Sequence, residues 1–82
     1  MKLFVKNIES SINEAMLEGL FAPFGDIEST KIVYDRITWE SKGYGFVEFE
    51  KKEDGEKAIE ALNGREVRGK ALSVAEAEER RK

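Results

Sequence analysis

The chain has 82 residues, 14 Lys and Arg against 17 Asp and Glu, a formal net charge of −3, and neither cysteine nor histidine. That length suits one domain, and the missing residue types exclude disulfides, thiol nucleophiles, Cys/His zinc sites and Ser-His-Asp triads. Charged residues at 38% and apolar ones at 40% describe a folded chain, while the acidic balance taken alone argues against a nucleic-acid binder.

Lys2-Leu3-Phe4-Val5-Lys6 is β-rich and reads as a short strand, with Leu3 and Val5 on one face and Lys2, Phe4 and Lys6 on the other. Met1 to Val5 is followed at once by Lys6 and Asn7, which leaves no signal-peptide core. No apolar run approaches the roughly 20 residues of a bilayer span. A cytoplasmic location without membrane contact is therefore expected.

Asn7 to Ser11 reads as a loop. Asn13 is an expected N-cap, and Met16, Leu17, Leu20, Phe21 and Phe24 form the apolar stripe of a helix that Pro23 and Gly25 stop. The second strand lies within Asp26 to Asp35, with Thr30 and Ile32 on one face and Lys31 and Val33 on the other. A polar connection, Asp35 to Ser41, carries Arg36 and Trp39.

The third strand is Lys42-Gly43-Tyr44-Gly45-Phe46-Val47-Glu48-Phe49. Alternation puts Lys42, Tyr44, Phe46 and Glu48 on one face and Gly43, Gly45, Val47 and Phe49 on the other. The two glycines are expected to let helices lie close to the sheet. Glu53 to Asn63 forms a second helix with a poor start, because Lys51 or Lys52 sits where a cap belongs, and Asn63-Gly64 ends it. Arg65 to Gly69 is a loop or small hairpin. Ala71 to Ala75 is the last strand, with Leu72 and Val74 inward.

The order β-α-β-β-α-β predicts an α+β, ferredoxin-like sandwich: a four-stranded antiparallel sheet with both helices on one face. The domain is expected over residues 1–76, with a flexible charged tail over 77–82. Phe4, Tyr44 and Phe46 then meet on the uncovered face, where exposed rings are stacking platforms for unpaired bases. By the same alternation Lys2, Lys6, Lys31 and Lys42 join them, and most acids fall on helices and turns. A chain that is negative overall is thus locally positive, and its binding is expected to be salt-sensitive.

Lys42-Gly43-Tyr44-Gly45-Phe46-Val47-Glu48-Phe49 resembles the longer signature of the RNA recognition motif, [KR]-G-[FY]-[GA]-[FY]-V-x-F, at every specified position. Leu3-Phe4-Val5-Lys6-Asn7-Ile8 is similar to its shorter signature, and Ala58 to Gly64 to its second-helix ending. The chain looks like the small stand-alone bacterial members of this family. The resemblance implies that Phe4 and Tyr44 each stack on a base, that Phe46 packs against sugars or between nucleotides, and that Lys42 contacts phosphate. It implies that Asn7 supports the end of the first strand, and that Ala75 and Glu76, after the last strand, lie beside an outer base. Arg36 and Trp39 are candidate loop contacts.

Three departures stand out. Lys6 replaces a common glycine, Trp39 replaces the glycine of the loop Asp-Arg-x-Thr-Gly-x-Ser-Lys-Gly, and the segment Val74 to Glu79 is acidic. Trp39 has three readings: packing on the sheet edge, stacking on a base, or self-association.

The resulting expectation is a monomeric module without catalysis, metal or cofactor. It binds single-stranded RNA in a post-transcriptional or RNA-chaperone role. A protein-interaction or self-association module using the same face is the alternative, and single-stranded DNA is a lesser one.

Overall fold

The computed structural model describes residues 1–77. Its elements run β1 (Lys2–Lys6), α1 (Glu14–Phe21), a 3₁₀ turn (Ala22–Phe24), β2 (Ile27–Tyr34), β3 (Ser41–Phe49), α2 (Lys52–Leu62), β4 (Glu66–Val67), β5 (Lys70–Ala71) and β6 (Ser73–Glu76). Four strands form one antiparallel sheet in the order β2-β3-β1-β6, and β4 and β5 form a separate hairpin. This is the expected ferredoxin-like sandwich, with β1 and β3 as the central pair. The tail expected over 77–82 falls, beyond Ala77, outside the described residues.

Leu3 and Val5 of β1, Val47 and Phe49 of β3, and Val74 of β6 point to the helices and are fully buried. They meet Leu17 and Phe21 from α1 and Ala58 and Leu62 from α2. Each of these side chains contributes roughly 1.5–3 kcal/mol on burial, Ala58 excepted. One sheet face is thereby committed to the core, and among the described residues no element covers the other.

The helix ends follow the sequence. The Asn13 side chain accepts from the Met16 N–H at 2.8 Å, which starts α1. Lys51 offers α2 no side-chain cap, but Glu53 and Asp54 in its first turn complement the helix dipole. At the other end of α2, Asn63 Oδ1 accepts from the Val74 N–H at 3.0 Å and ties the helix to β6. Glu14 Oε2 accepts from the Ile32 N–H at 2.9 Å and so caps part of the edge strand β2.

The glycines of β3 have a different cause from the one expected. A Cβ on Gly45 would strike the backbone of β2, reaching Ile32 Cα at 2.9 Å and crowding the Lys31 carbonyl. Gly43 adopts φ +86°, a left-handed conformation that glycine accepts without strain. Both needs arise within the sheet, not at the helices.

Candidate nucleic-acid interface

Strand register assembles the open face. Phe4 pairs with Phe46 across β1 and β3 and with Ala75 across β1 and β6, and Lys31 of β2 pairs with Phe46. One row across the sheet is therefore Lys31, Phe46, Phe4, Ala75. Lys6 pairs with Tyr44 in a second row, and Lys2 with Glu48 in a third. Neighbouring rows lie two residues, or about 7 Å, apart.

The three aromatics form one cluster. Phe4 and Phe46 stack at 5.1 Å between centroids and 19° between planes. Tyr44 meets Phe4 edge-on at 5.8 Å and 84°. All three stay half-buried, each with part of its ring open to solvent. Two lysines already use those rings: Lys2 Nζ lies 4.9 Å from the Phe46 centroid, and Lys6 Nζ lies 5.6 Å from that of Phe4. The face thus presents aromatic surface and positive charge together, with Glu48 opposite Lys2 as an acid among them. The acids of α1 and α2 lie on the other side of the sheet.

At one end of the platform a depression of about 280 Å³ is lined by Lys6, Asn7, Ile8, Lys42, Gly43, Tyr44 and Lys70. Asn7 has φ +61°, and its Nδ2 donates to the Ala71 carbonyl at 2.8 Å. That bond holds the β4–β5 hairpin beside the end of β1 and brings Lys70 next to Lys6 and Lys42. Nothing in the local sequence singles out Lys70. The Arg68-Gly69 pair, with φ +54° and +88°, makes the tight turn that folds the hairpin back. Sequence hinted at this hairpin, but the long-range Asn7 bond that positions it had no local signal.

The expected contacts divide accordingly. Phe4, Tyr44, Phe46, Lys2, Lys6, Lys31 and Ala75 share the open face, with Lys42 and Asn7 at its end. Ala75 and Glu76 lie within β6 and not after it, because pairing with β1 continues to Glu76 opposite Leu3. Leu3 faces the core, so parity turns the Glu76 side chain away from the aromatic rings and leaves only its backbone on the sheet edge.

Arg36 and Trp39 stand apart on the β2–β3 turn. The Asp35 carboxylate accepts from the N–H groups of Ile37 at 2.8 Å and Thr38 at 3.0 Å, and the Asp35 carbonyl accepts from the Trp39 N–H at 2.9 Å. The two bonds to the carboxylate, the Thr38 one foremost, hold the Asp35 carboxyl below the ordinary aspartate range. Trp39 sits at φ +63° and is 76% exposed, which rules out packing on the sheet edge. Its backbone angle is the reason a glycine suits this position.

Among the described residues, no three His, Cys, Asp or Glu side chains are placed to hold a metal, and no helix is long and apolar enough to cross a membrane.

Known proteins give the same picture. The family model of the RNA recognition motif matches residues 3–73. The 29 kDa ribonucleoprotein B, chloroplastic, of Nicotiana sylvestris is 42% identical over 74 residues, covering 90% of this chain and 25% of that one. Probable RNA-binding protein 23 of Homo sapiens is 41% identical over 80 residues, covering 98% of this chain and 18% of that one. The chain thus spans a quarter or less of the length of these two curated relatives. The crystal structure of RNA binding protein PG1 superposes with a TM-score of 0.93 at 39% identity, covering 100% of this chain and 99% of that one. The curated relatives include plant, human and nematode proteins, so the similarity reaches the family at large and not its small bacterial members in particular. Matched from Leu3 to Ser73 by the family model and carrying both signatures on its two central strands, the chain belongs to the RNA recognition motif family.

Proposed function

We propose that this chain is a non-catalytic module that holds unpaired RNA across β1 and β3. The stacked pair Phe4 and Phe46, with Tyr44 edge-on beside it, carries the reading. Rings packed this way, on a sheet face that no described residue covers, take bases on their free surface, at about 1–3 kcal/mol per base. Lys2, Lys6, Lys31, Lys42 and Lys70 neutralise phosphates, and the outer edge of β6 at Ala75 and Glu76 offers backbone groups to an outer base. The relatives' names, a ribonucleoprotein and an RNA-binding protein, support RNA as the ligand.

All three rings come from one chain, so a monomer is enough for binding. Stacking does not need a 2′-hydroxyl, so single-stranded DNA is a weaker second ligand. A cytoplasmic post-transcriptional or RNA-chaperone role is the corresponding biological proposal. Titration of isotope-labelled protein with short RNA tests it. Shifts at Phe4, Tyr44 and Phe46 that fade at high salt support RNA binding. Silence there, with shifts that grow with protein concentration alone, assigns the face to self-association instead.

A further inference from the structure

The geometry points to a second, separate base-binding site beside the β2–β3 turn, between Trp39 and Tyr34, taking a base that carries an exocyclic amino group. It rests on the single-strand reading of the aromatic platform. Ser10, Tyr34, Trp39, Glu40 and Ser41 line a cavity of about 410 Å³. The cavity has two aromatic side chains, the hydroxyls of Ser10, Tyr34 and Ser41, and one carboxylate; the Ser10 hydroxyl already donates to Glu9 and the Ser41 hydroxyl already accepts from the Gly43 N–H. A nucleobase needs both parts of this lining: flat apolar faces and hydrogen-bonding edges.

Trp39 bears the marks of a side chain held out for a ligand. It is 76% exposed, and its φ of +63° is a conformation that a bulky residue adopts only at a cost. Three hydrogen bonds to Asp35 and one between the Asp35 N–H and the Glu40 carbonyl, at 2.8 Å, fix the turn beneath it. A ring on a fixed turn loses little freedom when a base stacks on it. Tyr34, by contrast, is packed partly against the core and offers a firm opposing wall.

Glu40 sets the preference. A carboxylate accepts from the amino groups of cytosine, adenine or guanine and finds no such donor on uracil. The site also adjoins the platform in the chain. Ser41 lines this cavity, and the next residues, Lys42 and Gly43, line the depression at the platform's end. Tyr34 pairs with Ser41 and packs toward the core, so the cavity lies around the end of the sheet from the platform, and only a strand long enough to turn past Lys42 reaches Trp39.

Trp39 is the single tryptophan of the chain, so its emission reports the site directly. Wild-type protein is titrated with a trinucleotide and an octanucleotide of cytidine or uridine, with Tyr44 followed in parallel by magnetic resonance. The expected result is Trp39 quenching by the cytidine octamer and not by the trimer. Trp39→Gly, which the turn accommodates, is expected to weaken the octamer about tenfold and leave the trimer unchanged. Glu40→Gln is expected to narrow the cytidine-over-uridine preference by about fivefold. Unchanged Trp39 emission while Tyr44 shows octamer bound, or equal octamer affinity of Trp39→Gly and wild type, overturns the second site. Emission that changes with protein concentration in the absence of RNA also overturns it and gives Trp39 to a second copy. A trimer that leaves Tyr44 unmoved, beside an octamer that quenches Trp39, overturns the platform and leaves the second site standing.

Discussion

Phe4 and Phe46 face each other across the two central strands, 5.1 Å apart at their centroids and 19° from parallel. Cross-strand neighbours in register are the closest pairs a sheet offers, and β1 and β3 are adjacent only because of the β2-β3-β1-β6 order. The platform is therefore a product of topology. Two aromatics 42 positions apart in the sequence become one surface when the order is satisfied.

The edge-on ring of Tyr44 is the cleanest probe of that surface. It is half-buried and lies outside the core cluster, so Tyr44→Ala removes stacking area with little effect on the fold. RNA affinity is expected to fall about tenfold or more, the worth of one stacked base. Fluorescence anisotropy with a labelled oligonucleotide measures the loss, and circular dichroism checks the fold. A folded variant with undiminished affinity removes Tyr44 from the interface.

The lysines above the rings carry a second prediction. Lys2 and Lys6 rest over Phe46 and Phe4, so an arriving base displaces their ammonium groups, which then become free for phosphates. Lys6→Ala is expected to weaken binding in low salt and to reduce the slope of log affinity against log salt by about 0.7, the value for one phosphate contact on a single strand. Lys57→Ala, on an exposed position of α2, is the control expected to leave the slope unchanged. Equal slopes for Lys6→Ala and wild type would show that Lys6 meets no phosphate.

Much of this was legible in the sequence, for identifiable reasons. Strict alternation in β3 told Tyr44 and Phe46 from Val47 and Phe49, and the order of elements told which strands are central. What escaped was set by contacts distant in sequence or by backbone angles. Lys70 joins the site through the Asn7 bond to Ala71, 64 positions away. The role of Gly45 depends on how closely β2 approaches, which β3 alone does not encode. Trp39 is visibly out of pattern, yet its left-handed backbone and its cavity with Tyr34 emerge only when the turn closes.

Two glycines make opposite predictions. A Cβ on Gly45 would enter the β2 backbone at Lys31 and Ile32, where neither strand can give way without breaking the ladder. Gly45→Ala is expected to destabilise by about 3 kcal/mol, a fall of more than about 10 °C in Tm. A Cβ on Gly19, inside α1, meets nothing within 4 Å. Gly19→Ala is expected to stabilise by about 0.5–1 kcal/mol through helix propensity alone. Thermal denaturation of both variants decides, and a tolerated alanine at 45 would contradict the strand spacing described.

Asp35 gives the β2–β3 turn a pH dependence. Its carboxylate is favoured by the N–H groups of Thr38 and Ile37, which depress its pKa in the folded state. A depressed carboxylate contributes stability that is fully present above the unfolded pKa and is lost as pH falls through the folded value. The turn is therefore expected to loosen only in acid, below the ordinary aspartate range. Carboxyl carbon shifts of Asp35 followed through an acid titration report its pKa, and an Asp35→Asn variant is expected to show a flatter acid limb. An Asp35 titrating at the ordinary value would remove this account.

Trp39 itself closes the set, because its backbone and its ring pull in opposite directions. At φ +63° a non-glycine residue costs roughly 1–2 kcal/mol, and Trp39, 76% exposed, recovers little of that by burial. Glycine removes the strain but adds freedom to the unfolded chain, worth about 0.4–1 kcal/mol against it. Trp39→Gly is therefore expected to raise stability by about 0.5–1 kcal/mol, a gain of a few degrees in Tm. The same variant is expected to bind the octanucleotide about tenfold more weakly. Calorimetry measures both quantities on one sample. A variant that is more stable and binds more weakly shows a tryptophan kept against the fold's preference for the sake of its ligand; one that loses both stability and affinity shows a ring that belongs to the structure.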